Sequence, residues 1–263
     1  MPLARLALYM ATAVAFVLVG RTLLLAPPPM ALSAIALLSY VVLILVGVFF
    51  LRLQMFTDAV LHGPKGSRGV VLTFDDGPDP ETTPRVLDVL DAEDAKATFF
   101  LIGQKAEKHP ELVREIQRRG HRIGLHSYAH DRLFALRSQR HVARDLARGM
   151  AVLQAITGRR PELFRPPIGH TNPAIARVAD ALELTVVGWT LSARDGVAGV
   201  KPATVVARVR RHAKDGTIVL LHDAAERGGR VPAGVDALPD VLDAVKAARL
   251  DVVPIDGWLA EEG

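Results

Sequence analysis

The chain of 263 residues predicts an α/β domain built on a mainly parallel sheet, preceded by a segment that enters a membrane. Three observations predict this. Beyond residue 69, short β-rich apolar runs alternate with amphipathic helical stretches. Composition changes near residue 51, from a stretch with almost no charge to an ordinary mixture of charged and apolar residues. The polar residues that stand out fall directly after the apolar runs, where the C-terminal ends of parallel strands gather.

Residues 1–51 contain two basic residues, Arg5 and Arg21, and no acidic one. Residues 31–51 form an uncharged run of 21, the length a helix needs to cross the hydrocarbon core. Residues 6–20 are also apolar and end at Arg21. They read as a first span with Arg21 snorkelling to the interface, or as a signal-peptide core that lacks a convincing small-x-small cleavage site. Pro27, Pro28 and Pro29 would break a helix between the two runs, which suits a hairpin turn. A buried core helix is the plainer reading, and two adjacent apolar runs argue against it. The chain is therefore expected to be integral to the cell membrane. Arg5 and the amino terminus before the hairpin, with Arg52, Lys65 and Arg68 after it, outweigh Arg21 in the turn. By the positive-inside rule both ends are cytoplasmic, whereas a single span would put the remainder outside. Residues 52–68 read as a linker reaching at most about 55 Å.

The soluble part follows in order. Residues 69–74 read as a strand and the next helix lies around 83–95. Strand 97–102 precedes helix 110–119, and strand 121–125 precedes the long pattern 138–157. Residues 163–165 precede helix 172–183, 184–189 precede helix 202–213, and 217–221 precede helix 235–248. Residues 250–255 make a seventh strand. Pro110 and Pro202 suit first helical turns, and Gly120 and Gly158 suit helix C-termini. Seven strands with a helix after each of the first six imply a sheet that is wound into a barrel or open. The formal net charge is +4, but the basic residues stand beside acidic ones, as at Glu115, Arg118 and Arg119. That pattern reads as solvated helix faces and no nucleic-acid partner. With no cysteine, disulfides, thiolate metal sites and cysteine nucleophiles are excluded.

Asp75 and Asp76 follow the first strand, and His126 follows the third, with His130 four residues on. Arg165 ends the fourth, Trp189 ends the fifth with Asp195 in the loop after it, and His222 follows the sixth. Five strands would bring these side chains to one rim. Each piece alone is weak. His126 and His130 can share a metal across one helical turn, yet the chain has nine histidines. An Asp-Asp-Gly-Pro stretch is more often a plain turn.

Taken together, Thr73-Phe74-Asp75-Asp76-Gly77-Pro78, His126-x-x-x-His130, Arg165-x-Pro167-x-Gly169, Trp189 with Asp195, and Leu221-His222 resemble the five ordered motifs of the polysaccharide deacetylase (NodB homology) family. That family includes chitin, chitooligosaccharide and peptidoglycan N-acetylglucosamine deacetylases. The resemblance spans roughly residues 69–255 and implies a distorted (β/α)7 barrel, with 69–263 as the catalytic domain, while the apolar runs make 1–51 the membrane anchor of one or two helices. It implies metal-dependent removal of N-acetyl groups from a cell-envelope glycan. Asp76, His126 and His130 would hold a divalent metal, with zinc first and cobalt or nickel compatible. Asp75 would be the general base, held in place by Arg165, and His222 the general acid, oriented by Asp195. The Ile168 N–H would help to hold the oxyanion, and Trp189 and Leu221 would form the pocket for the acetyl methyl.

The chain departs from the family pattern at three positions. Ile168 stands where tyrosine is frequent, Gly196 where a tryptophan often follows the motif aspartate, and Ser192 where an earlier aspartate often lies. Two alternatives follow from the resemblance: a deacetylase or deformylase of a lipid-linked amino sugar, and a catalytically silent sugar-binding relative.

Overall fold

The structure is a computed structural model and describes residues 1–259. Residues 260–263 of the expected catalytic domain lie outside the described residues. Two long helices open the chain, α1 (Leu3–Leu24) and α2 (Met30–Phe49). Pro29, immediately before α2, supplies an extended φ/ψ and no donor, so the chain turns there. Both helices are long and apolar enough to cross a membrane, with mean hydropathies of 1.9 and 2.7. Almost none of either is buried, so neither is a core helix of the domain that follows. They lie antiparallel, with Thr12 Oγ1 2.9 Å from Tyr40 Oη, and Arg5 Nη2 reaches Asp58 Oδ1 at 2.8 Å.

Seven parallel strands follow: β1 (Val70–Asp75), β2 (Thr98–Leu101), β3 (Arg122–Leu125), β4 (Leu163–Phe164), β5 (Thr185–Val186), β6 (Leu191–Ser192) and β7 (Thr217–His222). Their order in the sheet is β5-β4-β3-β2-β1-β7-β6. The helices between them are α3 (Thr82–Ala92), α4 (Gly103–Lys108), α5 (Pro110–Arg118), α6 (Gln139–Thr157), α7 (Pro173–Ala181) and α8 (Pro202–His212), and α9 (Ala233–Ala247) follows β7. A short α10 (Asp256–Leu259) ends the described chain. The expected distorted (β/α)7 barrel is this curled parallel sheet with its jacket of helices. Ser138 and Asn172 cap α6 and α7 by accepting from backbone N–H groups three residues on, and Gly158 closes α6 in the left-handed region.

The strand count of seven holds, but one strand is misplaced by the sequence reading. Residues 184–189 do not make one strand. The chain pairs with β4 as β5, breaks at Val187–Thr190 and pairs with β7 as β6 with no helix between, so one stretch joins the two edges of the curled sheet. Gly188 permits the crossing, because a Cβ there would lie 2.6 Å from Leu61. Residues 250–255 contribute only one bridge, Val252 to Val70, and Pro254 lacks the donor needed to extend it. The stretch 52–68 does not hang free. Val60 pairs with Val187 and His62 with Thr217, so this stretch fills the gap between β5 and the base of β7.

Side chains alternate across the strands, as period two requires. Val70, Leu72 and Phe74 face the helices and join the main core. Val71 points inward with Phe100, Leu163, Val187 and Ile218, and Ile255 and Trp258 plug this inner layer from below. Gly124 of β3 leaves room for the Phe100 ring, which a Cβ would approach to 2.6 Å. Above this apolar floor the inward positions turn polar: Thr73, Asp75, Arg165 and His222.

Candidate active site

The ladder places the first pair. Asp75 and His222 are register partners at the C-terminal ends of the adjacent strands β1 and β7. Asp75 Oδ1 accepts from Arg165 Nη1 at 2.7 Å. Arg165 is fully buried, and its remaining donors go to Thr73 Oγ1 at 2.8 Å, the Val187 carbonyl at 3.2 Å and the Gly188 carbonyl at 2.8 Å. Its guanidinium also lies 4.1 Å from the centre of the Phe100 ring. The crossing between β5 and β6 thus supplies two acceptors that fix this cation, which the sequence could not show.

Asp76, His126 and His130 come together, each offering an atom within 4.8 Å of the others. His130 Nε2 stands 3.3 Å from Asp76 Oδ1 and 3.2 Å from His126 Nε2. The expected helical turn between the two histidines is absent. Residues 126–130 form a loop in which Ser127 (φ 62°) and His130 (φ 48°) are left-handed. That strain is held by Asp145 of α6, which accepts from the backbone N–H groups of Tyr128 at 2.8 Å and Ala129 at 3.1 Å. His126 Nδ1 donates to the Arg165 carbonyl at 2.7 Å, which leaves Nε2 as the lone-pair atom facing Asp76. His130 Nδ1 lies 3.3 Å from Glu226, itself paired with Arg132.

These residues fit a divalent cation. Asp76 Oδ1 is buried and has no hydrogen-bond partner among the described residues. Burial pushes the Asp76 carboxyl up to about 7, against the pull of His222 and Lys105. Burial also pushes His126 down to about 3 and lowers His130, so both imidazoles are neutral ligands near neutral pH. A buried carboxylate with no partner and two neutral imidazoles is the donor set a metal satisfies.

Across the cleft, Asp195 is fully buried. Its carboxylate accepts from the His222 backbone N–H at 2.7 Å and from Nδ1 at 2.9 Å. Burial opposes charge on His222, but the hydrogen bond and the charges of Asp195, Asp75 and Asp76 prevail and push its pKa up to about 9. Gly196 packs against this ring, where a Cβ would lie 3.0 Å from it. The cleft between the two groups has a volume of about 340 Å³ and is walled by Ile168, Trp189, Ser192 and Leu220.

One assignment is corrected here. Leu221 is fully buried among the helix-facing side chains and does not line the cleft, whereas Leu220 does. Parity decides it: His222 faces the cleft, so the residue two before it shares that face and the residue one before it points away. Trp189 is in the expected wall, seated on Gly169. Ile168 is half exposed at the rim with φ 59°, an unusual value for a β-branched residue. Its N–H donates to no protein acceptor among the described residues. The sequence reading missed Glu226, Lys105 and Asp145. Lys105 Nζ holds the carbonyls of Asp76 at 2.7 Å and Ala225 at 2.6 Å, and so ties the two sides of the rim together. None of the three lies in a recognisable motif.

A family profile described as polysaccharide deacetylase matches residues 62–187. A peptidoglycan-N-acetylglucosamine deacetylase of Bacillus cereus is 38% identical over 183 residues, covering 68% of this chain and 84% of that protein. A chitooligosaccharide deacetylase of Azorhizobium caulinodans is 33% identical, covering 71% of this chain and 92% of its own length. The crystal structure of a peptidoglycan N-acetylglucosamine deacetylase in complex with an N-oxidanyl-benzamide superposes with a TM-score of 0.70 at 32% identity, covering 75% of this chain and 91% of that one. The fold, the five ordered motifs and these likenesses agree, and the chain belongs to the polysaccharide deacetylase family of hydrolases.

Proposed function

We propose that this protein hydrolyses the N-acetyl groups of amino sugars in a cell-envelope glycan of the peptidoglycan or chitooligosaccharide kind, using a divalent metal held by Asp76, His126 and His130. The observation that carries this reading is one cleft with Asp75 and His222 in register on adjacent strands, and the three-residue cluster beside them. Two imidazoles and one carboxylate suit zinc, and cobalt or nickel also fit. When bound, such a cation polarises the acetyl carbonyl and favours ionisation of water.

The protein's own groups do the rest. Asp75 Oδ2, not engaged by Arg165, takes the proton of the attacking water, while Oδ1 is pinned by the guanidinium. The free N–H of Ile168 donates to the developing oxyanion. His222, protonated at neutral pH, gives its proton to the leaving nitrogen, and Asp195 keeps the ring oriented. Trp189 and Leu220 exclude water around the methyl group. The exposed apolar faces of α1 and α2 lie in the membrane as a hairpin, which puts the amino terminus and the catalytic domain on the same side.

The test is acetate release from chitotetraose and from peptidoglycan by the full-length, metal-loaded protein. Asp75→Asn keeps its metal and loses turnover by about 100-fold or more. Asp76→Ala, His126→Ala and His130→Ala each lose metal, measured by elemental analysis. Full metal occupancy in those three variants refutes the ligand assignment, and metal loss in Asp75→Asn means the two aspartates have exchanged roles. No acetate from any glycan would favour the catalytically silent, sugar-binding reading.

A further inference from the structure

The C-terminal end of α2 is built into the catalytic domain. Val48 and Leu51 belong to the same apolar core as the helices around the sheet. The Thr171 N–H donates to the Val48 carbonyl at 3.1 Å, and the Phe49 ring meets His170 edge-on at 4.9 Å. This junction forms a second cleft, of about 270 Å³, between Phe49, Phe50, Arg52 and Leu61 on one side and Ile168 and Trp189 on the other. The two clefts share Ile168, Gly169 and Trp189, so they meet at the acetyl-binding wall.

The second cleft has one charged lining group, Arg52. Its guanidinium lies 5.7 Å from the Phe50 ring, and it makes no hydrogen bond or ion pair with protein among the described residues. An apolar cleft that begins where the long apolar helix α2 ends, carries one free cation and opens into the deacetylating cleft has a specific shape of ligand. Such a ligand would have a hydrocarbon tail to lie along the end of α2, a phosphate to meet Arg52 and a sugar to enter the catalytic cleft. Ile168 completes the fit. An exposed aliphatic side chain at the joint suits a tail, whereas an aromatic ring there would suit a sugar face.

We propose that the cleft between Arg52, Phe50 and Ile168 binds the phosphate and proximal hydrocarbon of a lipid-phosphate-linked N-acetylated amino sugar, making that lipid the substrate. This rests on the deacetylase reading above and narrows its substrate. The experiment uses full-length, metal-loaded protein in lipid nanodiscs. Its probes are farnesyl diphosphate-linked N-acetylglucosamine, the same sugar on a methyl diphosphate, and chitotetraose. The wild type prefers the farnesyl substrate in kcat/KM by at least about tenfold, since each methylene buried is worth about fourfold. Arg52→Gln lowers kcat/KM for the farnesyl substrate by about tenfold, as loss of one charge-assisted hydrogen bond does. Phe50→Gln lowers it severalfold, and both variants keep the wild-type rate on chitotetraose.

Deacetylation of chitotetraose with no preference for the farnesyl substrate overturns this proposal and leaves the deacetylase reading standing. A preference that survives in both variants also overturns it, because sharing a membrane with the substrate would then explain the preference. Failure to deacetylate any of the three overturns both.

Discussion

Asp195→Asn tests the acid directly. Asp195 holds His222 through two hydrogen bonds, and its charge helps to raise the imidazole from its ordinary 6.5 to about 9. The asparagine keeps the size of the side chain beside Gly234, where a Cβ would lie 2.3 Å from the carboxylate, and it removes the charge. In the variant the His222 pKa falls back toward its ordinary value. At pH 8 a group with pKa near 9 is about 90% protonated and one near 6.5 about 3%, so kcat/KM falls by up to about 30-fold. At pH 6 both forms are mostly protonated and the difference shrinks to that of orientation alone. The assay is the pH profile of kcat/KM at saturating metal. The acidic limb stays, and the alkaline limb moves down by up to about 2.5 pH units. The same shift reads out in stability. A group with a raised folded pKa stabilises the fold fully below its unfolded pKa and not above its folded one. The wild type therefore exceeds the variant below about pH 6.5, and that part of the difference is lost as pH rises through about 9. An unmoved alkaline limb in a folded, metal-loaded variant would refute His222 as the acid.

Three further outcomes follow from the packing. Arg165→Met leaves Asp75 buried without its cation and costs about 3–5 kcal/mol in denaturant unfolding; a variant as stable as wild type contradicts the pairing. Arg165→Lys does not rescue it, since a point charge cannot fork to Thr73, Asp75, Val187 and Gly188. Leu221→Ala lowers stability by about 2–5 kcal/mol and leaves KM unchanged, whereas Leu220→Ala changes kcat/KM; the reverse result would overturn the parity argument. Reporters fused after Gly263, an external alkaline phosphatase and a cytoplasmic counterpart, give cytoplasmic signal alone if both helices span with the amino terminus inside, and an active phosphatase would discard that orientation.

Much of the site was legible because parallel strands deliver side chains at their C-terminal ends, and the sequence shows where each apolar run stops. Asp75, Asp76, His126, Arg165 and His222 were found that way. Leu221 failed because a motif gives adjacency in sequence, whereas facing depends on pleat parity. Glu226, Lys105 and Asp145 were out of reach because they act through backbone carbonyls or N–H groups, or on the Nδ1 of His130, and such contacts carry no sequence pattern. The break between β5 and β6 escaped notice because residues 184–189 are uniformly apolar, and an apolar run does not reveal where the chain leaves a sheet.

The weld between α2 and the barrel has a consequence for how the enzyme meets its substrate. With the Val48 carbonyl bonded to Thr171 and Leu51 in the core, no slack chain separates the end of α2 from the cleft. If α1 and α2 lie in a membrane as proposed, the cleft would be held at one fixed elevation above the lipid and could not swing outward. Its encounters with a lipid-linked substrate would then be lateral, set by the number of acetylated sugars per unit area of leaflet and by their diffusion in the plane. Sugars already carried beyond that elevation are out of range, so the modification would be made as each unit passes the membrane surface and would persist in the finished glycan as a record of that passage.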